Sequence, residues 1–326
     1  IITLFYDKFA DIPLLSRMDA VAETFIDEIE TLLNRDLPEE ERIPLIEKFR
    51  KMYGTMDFYV LYNRFLKKEG YQTLPRRPLE KRKLRYEDVY PVLYLKYRLS
   101  RQAERSNIKH LVIDEMQDYS RLQYLIIRRM FSCKMTILGD RAQTMADQQQ
   151  DVLQFLPGIF GKDLRRIEMR KSYRNTVEIA SYAANLIGVT DLELFERHGM
   201  PVLERDVTDL EAALREAVDT LFPDEKTYET AAVIVPDEKT AERAYLILRE
   251  ILAEKDFDCG KRLSWLNRDS SSFKKGLTVT TFYLAKGLEF DQVFSIFPKD
   301  EKREIMMQAQ YIAATRALHE LRVYHI

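Results

Sequence analysis

The sequence predicts an α/β protein whose parallel sheets are covered by helices and preceded by a helical segment. Three observations carry this. Residues 1–109 contain long stretches whose apolar residues recur every three to four positions. After Lys109, short apolar runs alternate with helix-like stretches. One of those runs, HLVID, leads into the adjacent carboxylates Asp114-Glu115, at the strand end where a parallel sheet presents ligand groups.

In the helical segment, RMDAVAETFIDEIETLLN places Met18, Val21, Phe25, Ile29 and Leu32 on one face. IPLIEKFRKMYG and MDFYVLYNRFLKKEG read as helices stopped by Gly54 and Gly70. LPRRPLEKRKLRYED is a cationic loop. DVYPVLYLKYRLS is a further helix, with Pro91 expected near its first turn. From Lys67 to Lys109 there are 13 Lys or Arg against 5 Asp or Glu. Such a stretch is either a solvated surface or a contact for a nucleic-acid backbone or an acidic protein.

The expected strands are HLVID, KMTILGD, RRIEMR, TAAVIVP, LTVTTF, DQVFSIF and LRVYHI. Between them RLQYLIIRRMF, RNTVEIASYAANLIG, TDLEAALREAVDTLF and DEKTAERAYLILREIL read as helices. Thr208 with Glu211 predicts a capping box. A domain boundary is expected near residues 162–164.

The bulk numbers narrow the class. A chain of 326 residues fits two domains. Its 51 basic and 53 acidic residues nearly cancel, so no global field selects a polyanion or a membrane. Cys133 and Cys259 lack any CxxC spacing, which argues against a disulfide framework and for a reducing cytoplasm. No apolar run of membrane-spanning length and no signal peptide is found. The first residue is not Met, and both ends read as cuts through a larger protein.

Several short stretches carry chemistry. In HLVIDEMQD an apolar strand ends on two carboxylates. Asp114 is suited to hold Mg²⁺ and Glu115 to orient and deprotonate water, although buried strands also end on acids by chance. In TILGDRAQT, Gln143 could sense a γ-phosphate, or the stretch is a plain tight turn. In MRKSYRNT, Arg174 could reach a phosphate, although a lone arginine is most often a surface group. Gly287, in FYLAKGLEFDQVF, allows close backbone approach to a ligand. Arg316, in YIAATRALHEL, lies in a helix-like stretch with small neighbours Ala313, Ala314 and Ala317, which leave room for a fixed, reaching guanidinium.

The ordered series DEMQD, GDRAQT, SYRNT, AKGLEFD and ATRA resembles the motifs of superfamily 1 helicases of the UvrD/Rep type, over about residues 84–326. LRYEDVYPVLYLKYRL, HLVIDEMQDYSRLQ, TILGDRAQT and the pair Tyr283-Leu284 resemble the HelD subgroup, the helicase IV-like partner of bacterial RNA polymerase. The resemblance implies two RecA-like domains of the P-loop NTPase type, with ATP in the cleft between them. Residues 1–83 would be a helical insertion or arm of the first domain, 84–163 the rest of it, and 164–326 the second. By motif matching, Asp114 takes Mg²⁺ and Glu115 is the catalytic base. Gln143 couples nucleotide state, Arg174 and Arg316 contact phosphates, and Gly287 and Glu289 contact nucleotide. The implied partners are single-stranded DNA, core RNA polymerase, or both, with a monomeric chain and no membrane.

Two departures stand out. Where the UvrD type follows its motif-III glutamine with aromatic residues that stack on bases, this chain has Thr144-Met145-Ala146-Asp147. Where helicases carry a His and a small hydroxyl residue, it has Tyr283-Leu284. Stacking supplies roughly 1–3 kcal/mol per base, so these departures favour a protein that acts on a protein partner. No Gly-x-x-x-x-Gly-Lys-Ser/Thr occurs: Gly161-Lys162 precedes Asp163, and Gly260-Lys261 precedes Arg262. The chain is therefore expected to be the C-terminal part of an ATPase, holding half of its site and inactive or weak alone. The alternative is a non-catalytic interaction module with a decayed nucleotide site. A metal nuclease, suggested by VPDEKT, lacks a separate upstream acid. Asp237, Glu238 and Lys239 are expected to start a helix instead.

Overall fold

The computed structural model describes residues 1–100, 107–144, 151–169, 171–190, 193–221, 228–254, 262–270, 275–299 and 304–326. Among the sequence expectations, those on Arg170, on Met145, Ala146 and Asp147, on Cys259, and on Gly260-Lys261 lie outside these residues. So does the part of the cationic stretch at 101–106. The chain divides into two compact units, Ile1–Gly139 with Gln150–Leu164, and Asp140–Gln149 with Arg165–Ile326.

The first unit opens with helices α1 (Leu14–Leu33), α2 (Glu39–Arg50), α3 (Phe58–Lys68) and α4 (Tyr86–Leu99). Helix α1 buries Leu15, Val21, Ala22 and Ile26. Leu32, expected on the apolar face, is 85% exposed, because the helix has run past its partners by its last turn. Asp57 caps α3 by accepting from the amides of Tyr59 and Val60. Pro91 lies in the second turn of α4 rather than its first. The helix accommodates it there and runs on to Leu99.

Between α3 and α4 the cationic loop is pinned rather than loose. Leu74 is buried against Tyr59, Tyr62 and Leu66. The Asn63 side chain accepts from the Leu74 amide at 2.7 Å and donates to its carbonyl at 3.3 Å. The Tyr59 hydroxyl donates to Pro75 O at 2.7 Å. Arg82 pairs with Asp57 at 2.6 Å, and Arg85 with the buried Asp88 at 2.6 Å, which also accepts from the Tyr62 hydroxyl.

Beyond the helices, β1 (His110–Ile113) pairs in parallel with β2 (Lys134–Ile137). Helix α5 (Arg121–Met130) connects them and α6 (Val152–Phe160) follows. Ile113, Tyr124, Val152, Phe155 and Leu156 form the local core. Helix α5 begins with a true capping box, Ser120 with Gln123.

The second unit contains β3 (Lys171–Ser172), α7 (Val177–Leu186), β4 (Glu193–Leu194), β5 (Leu203–Asp206), α8 (Leu210–Asp219), β6 (Thr230–Val235), α9 (Glu238–Glu254), β7 (Leu263–Trp265), β8 (Gly276–Thr281), β9 (Phe290–Phe297), α10 (Glu304–Thr315) and β10 (Ala317–His325). Six strands form one wholly parallel sheet in the order β5-β10-β9-β6-β8-β7. Ala231, Val233 and Val235 of β6 face a core with α8 and α9; Ala232 and Ile234 face a core with α7 and α10. Burial on both faces explains why the strand reads as an unbroken apolar run. The α/β class with parallel sheets is thus as the sequence predicts.

Three local expectations are corrected. RRIEMR forms no strand: residues 164–169 carry no regular structure, and Ile167 and Met169 are exposed. Its apolar alternation has no sheet to cover it, and pairing begins only at Lys171. The cap of α8 is Asp209, whose carboxylate accepts from the Ala212 amide at 2.9 Å, rather than a box of Thr208 and Glu211. A carboxylate one residue nearer the helix wins that role. Arg316 lies not within the helix but at the junction of α10 with β10.

The pairs that pin the loop set an acid limit on the first unit. Burial tends to raise the pKa of both Asp57 and Asp88. The hydrogen bonds from Arg82 and from the Val60 and Tyr59 amides to Asp57, and from Arg85 and Tyr62 to Asp88, together with the charges of the two arginines, outweigh it and leave both below the ordinary value. A depressed carboxylate contributes stability that is present above its unfolded pKa and lost as pH falls through the folded one. Thermal unfolding followed by circular dichroism should therefore show stability falling below about pH 4. Asp88→Asn should be less stable at neutral pH and flatten that acid limb.

Candidate functional site

In the first unit the site is the turn that follows β1. The Leu138 amide donates to Ile113 O and the Met116 amide to Leu138 O, each at 2.8 Å, so the turn is stitched to the end of β2. Asp114 is exposed at its start and accepts from the Glu115 amide at 2.8 Å. Glu115 has φ 52° and ψ 50°, a left-handed conformation that costs a non-glycine residue about 1–2 kcal/mol. Among the described residues only Asn34 shares a positive φ without being glycine. Backbone strain of this kind collects at functional turns. The Glu115 carboxylate accepts from the Nε2 of Gln117, a side chain that is 2% exposed. The Tyr124 hydroxyl donates to Met116 O at 3.0 Å from a fully buried ring.

Gly139 fixes how closely β2 approaches this turn. A Cβ there would stand 2.4 Å from Met116 Cγ, 2.5 Å from Gln117 Oε1 and 2.6 Å from the Met116 amide nitrogen. Only a hydrogen fits. The donor set suits a metal that arrives with its ligand: Mg²⁺ is held by one or two carboxylates together with substrate phosphates. Asp114 has one oxygen engaged by an amide and a side chain open to solvent.

The second unit gathers five of the predicted residues. Glu289 immediately precedes β9 and Arg316 immediately precedes β10. Both stand at the edge where strands begin, opposite to the place Asp114 takes on β1. The Phe290 amide donates to Arg316 O at 2.9 Å, which sets the two positions abreast. Arg174, after β3, pairs with Glu289 at 2.7 Å, with both side chains about half exposed at 49% and 42%. An ion pair so exposed is worth about 0–1 kcal/mol, so it holds Arg174 in place without locking it. Gly287 has φ 76°, with open space where a side chain would stand.

Arg316 is 2% exposed. Its Nη2 donates to Thr315 Oγ1 at 3.2 Å and its Nη1 lies 3.5 Å from Leu288 O. The contacts of Arg316 include the Leu288 carbonyl and the Thr315 hydroxyl, and its guanidinium is buried. Asn175 holds the backbone on both sides of it, donating to Thr315 O at 3.3 Å and Ala317 O at 2.6 Å.

Gln143 sits on a second network. Its Nε2 donates to Asp140 Oδ2 at 3.1 Å, and the Tyr311 hydroxyl donates to the same oxygen at 2.9 Å. Lys286 Nζ donates to Gln143 O at 3.2 Å. Burial first, and then Asp140, raises the pKa of Tyr311, so it stays a protonated donor across the physiological range. Tyr283 does not hang free in its loop: the Arg268 guanidinium lies 5.9 Å from its ring and pairs with Glu238 at 2.9 Å.

Asn175, Gln117, Gly139, Asp140 and Tyr311 were not predicted as site residues. Gly139 ends a strand and Asn175 precedes a helix cap, which are weak signals that become specific only with the partner in view. Arg174 and Glu289 were predicted separately, and the structure brings them together.

Residues 15–145 match the UvrD/REP helicase N-terminal domain family, an interval that contains Asp114, Glu115 and Gln143. No curated protein matches the chain. Among solved structures, the C-terminal domain of a possible DNA helicase from Lactobacillus plantarum WCFS1 is 24% identical, with a TM-score of 0.37, covering 48% of this chain and 88% of that one. The helicase of PRRSV is 17% identical, with a TM-score of 0.38, covering 67% of this chain and 35% of that one. Arterivirus nonstructural protein 10, a helicase in complex with DNA, is 14% identical, with a TM-score of 0.35 and coverages of 69% and 40%. The chain thus spans well under half the length of the two viral helicase chains.

Asn175 gives this geometry a direct test. Asn175→Ala leaves the carbonyls of Thr315 and Ala317 without their buried donor, at a cost of about 1–3 kcal/mol. Urea unfolding should report that loss. Gly139→Ala should cost about as much by overpacking the Asp114 turn.

Proposed function

We propose that the chain is part of a UvrD-like, ATP-driven motor. In this reading residues 1–83 form a helical arm of the first RecA-like domain, 84–163 the remainder of that domain, and 164–326 the second. The observation that carries the reading is the turn after β1. It puts Asp114 and Glu115 on adjacent residues, with Glu115 in a strained conformation that Gln117 and Gly139 hold, inside the interval that matches the helicase family.

The proposed chemistry is hydrolysis of the γ-phosphoryl bond of ATP. Asp114 binds Mg²⁺ that comes with the nucleotide. Glu115 takes a proton from water as its oxygen attacks the γ-phosphorus, and the bond to the β-phosphate oxygen breaks to leave ADP and phosphate. Gln143, through the Asp140–Tyr311 network, reads whether the γ-phosphate is present. Arg174 exchanges its exposed pair with Glu289 for phosphate oxygens, and Arg316 completes the positive edge. Gly287 lets the backbone approach the nucleotide. An arginine in this role contributes roughly 10³–10⁵ in rate in enzymes of this chemistry.

The sequence has no Gly-x-x-x-x-Gly-Lys-Ser/Thr. The chain alone should then hydrolyse ATP weakly, whereas a polypeptide that also carries such a loop N-terminal to residue 1 should be active. In that longer protein, Arg174→Ala should cut kcat by about 10³ or more with KM changed far less. Its side chain is half exposed, so the fold should survive. Glu115→Gln should abolish turnover while Mg²⁺-dependent binding of a fluorescent ATP analogue persists. A non-catalytic module with a decayed site predicts neither effect, and robust turnover by the chain alone would sink the half-site reading.

One observation favours a protein substrate over a translocated strand. Tyr283, at a position where helicases carry a strand-facing residue, is engaged by Arg268 and through it by Glu238. This supports the HelD-type reading, with core RNA polymerase as the partner and a monomeric protein acting in the cytoplasm. ATPase activity stimulated by core polymerase more than by single-stranded DNA is the expected result.

A further inference from the structure

The loop between α3 and α4 is more than a connection. It is anchored at one foot by Leu74, Asn63 and Tyr59 and at the other by the Arg82–Asp57 and Arg85–Asp88 pairs. Arg82 also donates to Arg77 O at 3.0 Å and lies 4.8 Å from the Tyr59 ring, which ties the two legs together. So the fold uses two of the loop's cations, Arg82 and Arg85, as internal struts. Four others, Arg76, Arg77, Lys81 and Lys83, are exposed and pair with no carboxylate among the described residues. Against them in the loop stand two acids, Glu69 at its start and Glu80 among the cations. The feet also carry rings: Tyr71 is 65% exposed and Tyr86 is 79% exposed.

We propose that this strap is a binding surface for single-stranded nucleic acid. Four unneutralised cations held on a rigid loop repel one another in the free protein, and a row of phosphates relieves that. Anchoring matters because a preorganised loop loses little conformational entropy when it binds. The exposed tyrosines separate this surface from a general polyanion patch. Bases have π-faces to stack on such rings, and an acidic protein surface has none. The strap contains none of the residues given a part in hydrolysis, so its binding does not depend on the ATPase reading and can fail or stand separately.

The test is fluorescence anisotropy of the full chain with a labelled 20-nucleotide oligothymidylate, without nucleotide, from 50 to 200 mM salt. Four phosphate contacts on a single strand predict a log–log salt slope of about −3, a loss of about fifty-fold over that range. The variant with Arg76→Ser, Arg77→Ser, Lys81→Ser and Lys83→Ser should bind at least tenfold more weakly with a flatter slope. Its circular dichroism and melting should match the parent, since none of the four supports the fold. Tyr71→Ala with Tyr86→Ala should lose several-fold in affinity with the slope unchanged. Unaltered binding by the quadruple variant would overturn the proposal. So would tyrosine variants that bind normally while polyglutamate competes as well as the oligonucleotide, which would mark the strap as a site for an acidic protein.

Discussion

The pairing of β9 with β10 governs what the second unit can present. Its first bond runs from the Phe290 amide to Arg316 O, and the register then shifts between Ala317 and Glu320 before regular pairing resumes. That start brings Glu289 and Arg316 to the same edge of a sheet buried on both faces. Arg174 joins them from another element, through its ion pair with Glu289. Asn175 reinforces the junction by occupying two carbonyls that flank Arg316. Guanidinium and carboxylate positions here follow from backbone bonds, and backbone bonds within a buried parallel sheet are hard to alter.

The two units solve the placement of charge differently. In the first, the acids follow a strand and sit on a turn under local strain. In the second, Glu289 and Arg316 precede strands and Arg174 follows one, and they are held by pairing and by a buried amide. Strain at Glu115 is sustained because Gly139 admits the turn, Gln117 holds the carboxylate and Tyr124 anchors Met116 O. Each of these would be an unremarkable core residue without the acid that it supports.

Much of this architecture was legible in the sequence. Helix α3 was readable from its apolar spacing and the glycine that ends it, and β6 from an unbroken apolar run that only a sheet covered on both faces can bury. The failures share a cause. RRIEMR has a strand's alternation, but a strand exists only where another strand offers it amides and carbonyls, and none pairs with it. Thr208 and Asp209 both suit a cap, and one residue of helix register decides between them. Gln117 and Asn175 are polar residues whose burial pays off only through carbonyls and carboxylates contributed by other parts of the fold. A list of residue types carries no trace of such partners. Asp114, Glu115, Arg174 and Arg316 could be singled out as candidates because their chemistry is intrinsic to the side chain.

The first unit has one feature whose importance is practical. Among the described residues, β1 and β2 form a sheet of only two strands. Val112 on β1 is 60% exposed and Leu138 just past β2 is 44% exposed. Each strand therefore keeps one side with backbone groups unpaired by a sheet neighbour, next to apolar side chains that water solvates poorly. Strand edges of this kind add further strands when they can. At the concentrations used for crystallisation or spectroscopy, copies of this polypeptide are each other's nearest source of such strands. A lysine at Val112 would place a charge on this strand and oppose such addition.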